Sequence, residues 1–105
     1  MHPFQVSVSC DLQSVHLRVV GEIDLSTAAQ LVDAVVVAHA SSGHDVVIDL
    51  SGVTLLDCSG VSALVQAYDQ LAAIGAQVAL VNPSTLVADV LARTGADAHL
   101  GCLTA

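Results

Sequence analysis

Lysine is absent from these 105 residues, and Arg18 and Arg93 stand against ten carboxylates, for a net charge of −8. A nucleic-acid binder neutralises phosphates with a basic face, and this chain has no residues to build one. Adhesion to an anionic membrane surface is disfavoured for the same reason. Aromatic residues are almost missing too: there is no tryptophan, one phenylalanine (Phe4) and one tyrosine (Tyr68). The core must therefore be built from Val, Leu, Ile and Ala. Charged residues make up only 11% and hydrophobic ones 54%, which excludes intrinsic disorder. Cys10, Cys58 and Cys102 are odd in number, widely spaced and free of any CxxC pair. That argues against a disulfide framework and for a reducing cytoplasm, with Cys10 and Cys102 as structural residues. Apolar runs such as Ala34–Ala38 and Val78–Val81 fall far short of the ~18 residues a spanning helix needs. No Lys or Arg precedes Arg18, so a secretory leader is not expected, nor is direct membrane insertion. The histidines His2, His16, His39, His44 and His99 show no ligand spacing, so neither a metal nor another cofactor is expected. Phosphate-loop, paired-acid and nucleophile–histidine motifs are all missing, which argues against an enzyme.

What is present is an alternation of short β-type runs with helical ones, the pattern of a single α/β domain. Phe4–Ser9 and Val15–Val20 read as strands of a hairpin around a turn at Asp11–Gln13. A helix from Ser26 to Ala40, capped by Ser26 or Asp24, places Ala28, Leu31, Val32 and Val35 on one stripe and stops at Gly43. Asp45–Leu50 reads as a buried strand. A loop, Ser51–Asp57, then leads to a helix from Ser59 to Ile74 with the stripe Val61, Leu64, Val65, Tyr68, Leu71 and Ala72. Gln77–Val81 reads as the next strand. Asn82 as cap and Pro83 as first helical residue open a third helix through Leu86, Val87, Val90 and Leu91. A last strand is expected at Ala98–Leu103. The result is a mixed sheet of four or five strands packed with about three helices.

Chemistry in α/β domains concentrates at the carboxyl ends of strands. Here a strand feeds Leu55-Leu56-Asp57-Cys58-Ser59-Gly60 at a helix N-terminus, where free N–H groups favour negative charge. On composition alone, Asp57 or Ser59 serves as a helix cap and Gly60 allows close packing. Asp57-Cys58-Ser59-Gly60 also resembles the Asp-Ser-Ser/Thr-Gly motif of STAS domains, the sulfate-transporter and anti-sigma-factor-antagonist domains. Gly21-Glu22-Ile23-Asp24 with Thr27-Ala28, Val47-Ile48-Asp49-Leu50-Ser51 and Leu91–Gly95 are similar to three further segments of that family. The resemblance spans about residues 5 to 100 and rests on the order and spacing of these segments together.

The resemblance implies a cytoplasmic switch protein that binds an anti-sigma factor which is also a GHKL-type Ser/Thr kinase. In such systems the kinase phosphorylates the serine after the motif aspartate, and binding is lost. Phosphorylation adds about −1.5 to −2 charges, here beside Asp24 and Asp57. The partner-binding residues carried over are Asp24, Thr27, Asp57, Cys58, Ser59 and Gly60. Ser62, Ala63 and Gln66 are expected as outward contacts on the second helix. This chain departs from the family at two points. Cys58 occupies the phosphoacceptor position, and the family's helix after the last strand is missing, which favours self-association as a homodimer or a partner on the uncovered sheet. Cys58 admits three readings: a neutral replacement in a non-phosphorylatable antagonist, a site whose phosphorylation has passed to Ser59, or a redox switch. An alternative role is an accessory STAS subunit that regulates the ATPase of a membrane transporter. A thiol enzyme would need a base or resolving cysteine, and neither is visible.

Overall fold

The computed structural model describes residues 4–100. Strands β1 (Gln5–Cys10) and β2 (Ser14–Ile23) pair antiparallel from Gln5 opposite Val20 to Cys10 opposite Val15. Asp11 closes the hairpin: one carboxylate oxygen accepts the Gln13 and Ser14 N–H groups, each at 2.8 Å, and the other lies 2.9 Å from His16 Nε2. The Gln13 N–H bond, aided by His16 and Ser14, draws the Asp11 carboxyl from 3.8 down to about 2. A carboxyl more acidic in the folded state contributes stability above its unfolded pKa, and loses it as pH falls through the folded value. Asp11→Asn keeps a turn-forming side chain but cannot titrate. Its urea midpoint is expected to fall less than the wild type's between about pH 5 and pH 2. An equal or steeper fall in the variant would contradict this role for Asp11.

The chain continues through α1 (Ala28–Ser42), β3 (Asp45–Leu56), α2 (Cys58–Ala72), β4 (Val78–Val81), α3 (Thr85–Thr94) and α4 (Ala96–Leu100). The sheet order is β1-β2-β3-β4, with β2, β3 and β4 mutually parallel. Helix α1 packs on β2 and β3, α2 on β3 and β4, and the two helices on each other. Strand residues alternate accordingly. Val15, Leu17, Val19, Val46, Ile48, Leu50, Val78 and Leu80 are buried, against Leu31, Val35, Leu64, Ala67 and Leu71 from the helices. The intervening Ser7, His16, Arg18, Val47, Asp49 and Val81 line an open groove on the other side of the sheet. The core is aliphatic throughout, and among the described residues no buried side-chain nitrogen or oxygen lacks a partner.

Several boundaries differ from the sequence reading. The expected loop Ser51–Asp57 is mostly strand, because β3 runs on to Leu56 and pairs with the end of β2, which itself extends to Ile23. Gly52, placed in the expected loop, instead permits close approach of the two strands: a Cβ there would lie 2.8 Å from Val20 Cγ2 and 2.9 Å from the Val19 carbonyl oxygen. The register shifts at this point, as at a β-bulge. Helix α1 starts at Ala28 rather than Ser26, and its N-cap Thr27 makes no capping bond with its side chain. Asn82 and Pro83 precede α3, and Ser84 is the cap, accepting the Val87 N–H; Asn82 instead takes a left-handed turn at φ 58°. The buried face of α2 includes Ala63 and Ala67, while Val65 and Tyr68 are half-buried and Ala72 is exposed. The helical interface here is built on small residues, which an apolar-stripe reading weights too lightly. Finally, Ala98–Leu100 belongs to helix α4, not to a last strand. His99 Nε2 meets Asp69 Oδ1 at 2.7 Å and its ring meets Tyr68 edge-on, fastening α4 to α2. The rest of that expected strand and Cys102 lie outside the described residues, and Cys10 is exposed on β1.

Candidate functional site

The parallel register of β2 and β3 builds the site. Ile23 pairs with Leu56, so the next residue of each strand, Asp24 and Asp57, emerges at the same edge of the sheet. The Asp57 N–H donates to the Ile23 carbonyl at 3.2 Å and ties the two strand ends together. Asp24 and Asp57 line one shallow hollow with Leu25 and Ser26.

Each aspartate has a local structural task. Asp57 is the N-cap of α2, in extended conformation, with Oδ1 accepting the Gly60 N–H at 2.9 Å. The cap is thus Asp57, and Ser59 has no part in it. Asp24 organises the turn into α1. Its Oδ1 accepts the Ser26 hydroxyl at 2.6 Å and the Ser26 N–H at 2.9 Å. The Ser26 hydroxyl holds the Asp24 carboxyl below the ordinary carboxylate range, outweighing desolvation. Thr27 Oγ1 accepts the Asp24 N–H at 3.0 Å and donates to the Glu22 carbonyl at 2.9 Å. Thr27 is therefore committed to holding the turn, with its hydroxyl engaged by the Glu22 carbonyl.

The expected contact residues separate into two sets. Cys58 is exposed at the first position of α2, and Ser62 and Gln66 are exposed along it. Ser59 is half-buried. Gly60 and Ala63 are buried, Ala63 with only 3% exposure. Ala63 is accordingly not an outward contact. It sits in the wall of a groove of about 450 Å³ between α1 and α2, lined by Leu25, Ala28, Ala29, Val32 and Asp33 on one side and Ser59, Ser62, Ala63 and Gln66 on the other. Gly60 is the point of closest approach between α2 and the β2 end, where a Cβ would lie 2.5 Å from the Ile23 carbonyl oxygen.

The α1 side of this groove is missed by the sequence reading. Leu25, Ala28, Ala29, Val32 and Asp33 follow the i, i+3, i+4, i+7, i+8 phase of a helix face, and Ser59, Ser62, Ala63 and Gln66 follow i, i+3, i+4, i+7. Two facing stripes at helical spacing, each carrying Ala or Ser at its centre, are the available signal.

The family model of the STAS domain matches residues 5–103. The chain belongs to the STAS domain family. Its fold is shared with SpoIIAA, a Bacillus anti-sigma factor antagonist solved in its unphosphorylated form, at TM-score 0.75 and 24% identity over 98% of this chain and 88% of that one. An anti-sigma factor antagonist from Mycobacterium paratuberculosis matches at TM-score 0.83 and 27% identity, over 95% of this chain and 85% of that one. The murine anion transporter Slc26a9 contains a similar fold, at TM-score 0.69 and 22% identity, over 81% of this chain and 14% of the transporter. Sequence comparison with curated proteins yields no match. Among the described residues no helix is long and apolar enough to cross a membrane.

Proposed function

We propose that this STAS domain is a cytoplasmic anti-sigma factor antagonist that binds a GHKL-type anti-sigma kinase. The observation that carries the reading is the meeting of Asp24 and Asp57 in one hollow, with Cys58 exposed immediately after Asp57 at the head of α2. The aspartates set the two turns and leave their hollow open beside the groove between α1 and α2. A partner docking there would contact Ser62 and Gln66 and fill the groove over Ala28 and Ala63. The likeness to an antagonist at 27% identity over 95% of the chain supports the same reading.

Cys58 gives the switch its particular character. A thiol is not the acceptor of a Ser/Thr kinase, and Ser59 is half-buried in the groove wall. This antagonist therefore stays in its binding form when the kinase holds ATP. Incubated with its kinase and ATP, the wild-type chain is expected to gain no phosphate. Cys58→Ser, which restores an exposed hydroxyl of nearly the same size, is expected to gain one. Intact mass and site mapping read both results. Phosphate on wild-type Ser59 would overturn the constitutive reading, and selective binding to a transporter ATPase instead of any anti-sigma kinase would replace it with the accessory-subunit one.

A further inference from the structure

Leu25 joins the two hollows of the site. It lines the shallow one with Asp24 and Asp57, and the α1–α2 groove with Ala28, Val32 and Asp33. Its side chain is 80% exposed, so the core gains little from it. The backbone on both sides of it is nonetheless pinned. The Asp24 N–H donates to Thr27 Oγ1, the Ser26 N–H and hydroxyl donate to the Asp24 carboxylate, and the Thr27 and Ala28 N–H groups donate to the Asp24 carbonyl. Such a turn fixes the backbone from which the side chain projects, so binding need order only the side chain itself.

We infer that Leu25 is the apolar anchor of the docking surface, inserting into a socket of the partner whose rim carries Lys or Arg. The charge arrangement sets the partner's chemistry: Asp24 and Asp57 line the shallow hollow with Leu25, and Asp33 lines the groove with it, on a chain of net charge −8. An apolar knob beside carboxylates complements an apolar pocket with cations at its rim. A handful of residues, central and fully desolvated on docking, carry most of the binding energy of an interface. The inference rests on the antagonist reading above, since it specifies which residue makes the partner contact.

The test is calorimetric titration of the GHKL-type anti-sigma kinases of the same organism with four full-length chains: wild type, Leu25→Ala, Leu25→Met and Leu12→Ala. Leu12 is 95% exposed at the hairpin turn, at the opposite end of β2, and serves as the control. Leu25→Ala is expected to weaken binding about thirtyfold, while the melting temperature stays within about 2 °C of wild type because the side chain is exposed. Leu25→Met is expected to bind within about threefold of wild type, and Leu12→Ala to bind as wild type does. The salt dependence of the residual Leu25→Ala binding should match wild type, because the three carboxylates remain. Wild-type binding that survives Leu25→Ala within about twofold overturns the anchor and leaves the antagonist reading standing. A wild-type chain that binds none of these kinases overturns both.

Discussion

Gly60→Ala is expected to lower the melting temperature by about 10–20 °C, the equivalent of about 2–3 kcal/mol in a domain of this size. The reason is contact, since Gly60 does not sit in the left-handed region. A Cβ at this position lies 2.5 Å from the Ile23 carbonyl oxygen, 2.6 Å from Leu56 Cδ1 and 2.9 Å from Ile23 Cγ2. A leucine methyl can rotate away, but the carbonyl belongs to the end of β2 and is also the acceptor for Asp57 N–H. Relief requires α2 to move off the sheet, which stretches the Asp57 cap on the Gly60 N–H. Loss of such a cap typically costs about 1 kcal/mol by itself. Thermal unfolding followed by circular dichroism measures the effect. A shift under about 2 °C would mean that α2 is not seated against Ile23 and Leu56 as described.

Ser59→Glu is expected to weaken binding to the anti-sigma kinase by at least about a hundredfold while leaving the fold intact. Ser59 makes no capping bond, so its replacement removes none, and a carboxylate in the first turn of α2 is favoured by the helix dipole. The damage falls on the partner. Ser59 lies in the groove wall with Ala28, Val32 and Ala63. A glutamate there takes up groove volume and places a charge where a docked partner excludes water. An unpaired charge so buried costs several kcal/mol, about a hundredfold or more in affinity. Ser59→Ala is the companion variant, expected within about fivefold of wild type. Retention of wild-type affinity by Ser59→Glu would show that the partner docks away from this groove.

Much of this arrangement is legible from the residues, for reasons tied to period and punctuation. The mostly apolar run Val46–Leu50 and the stop at Gly43 in φ 70° are local signals, and each appears where it is expected; a cap at the head of α2 is equally legible, and of its two candidates Asp57 and Ser59 the structure selects Asp57. The misplaced boundaries depend on distant partners. Ser51-Gly52 looks like a break in the strand, yet pairing with Val20 through Ile23 carries β3 six residues further. That extension is what aligns Asp24 with Asp57, so the geometry of the site rests on the part of the sheet that local propensity does not report. Asn82-Pro83 is a strong helix opening by composition, and Ser84 prevails because Asn82 is used to turn the chain out of β4. Leu25 precedes the stripe of α1, and no local signal singles it out. Its 80% exposure is a property of the tertiary structure alone.

Kinase binding by the unphosphorylated surface is read most directly by calorimetric titration of the wild-type chain into each purified GHKL-type anti-sigma kinase of the same organism, with ATP and magnesium present throughout. A one-to-one complex with at least one kinase is expected, of micromolar or tighter affinity, about −8 kcal/mol or better. The complex is expected to persist during incubation, because Cys58 offers the kinase no hydroxyl. Absence of binding to every such kinase, or a complex that dissolves as the wild-type chain becomes phosphorylated, would contradict the constitutive antagonist role.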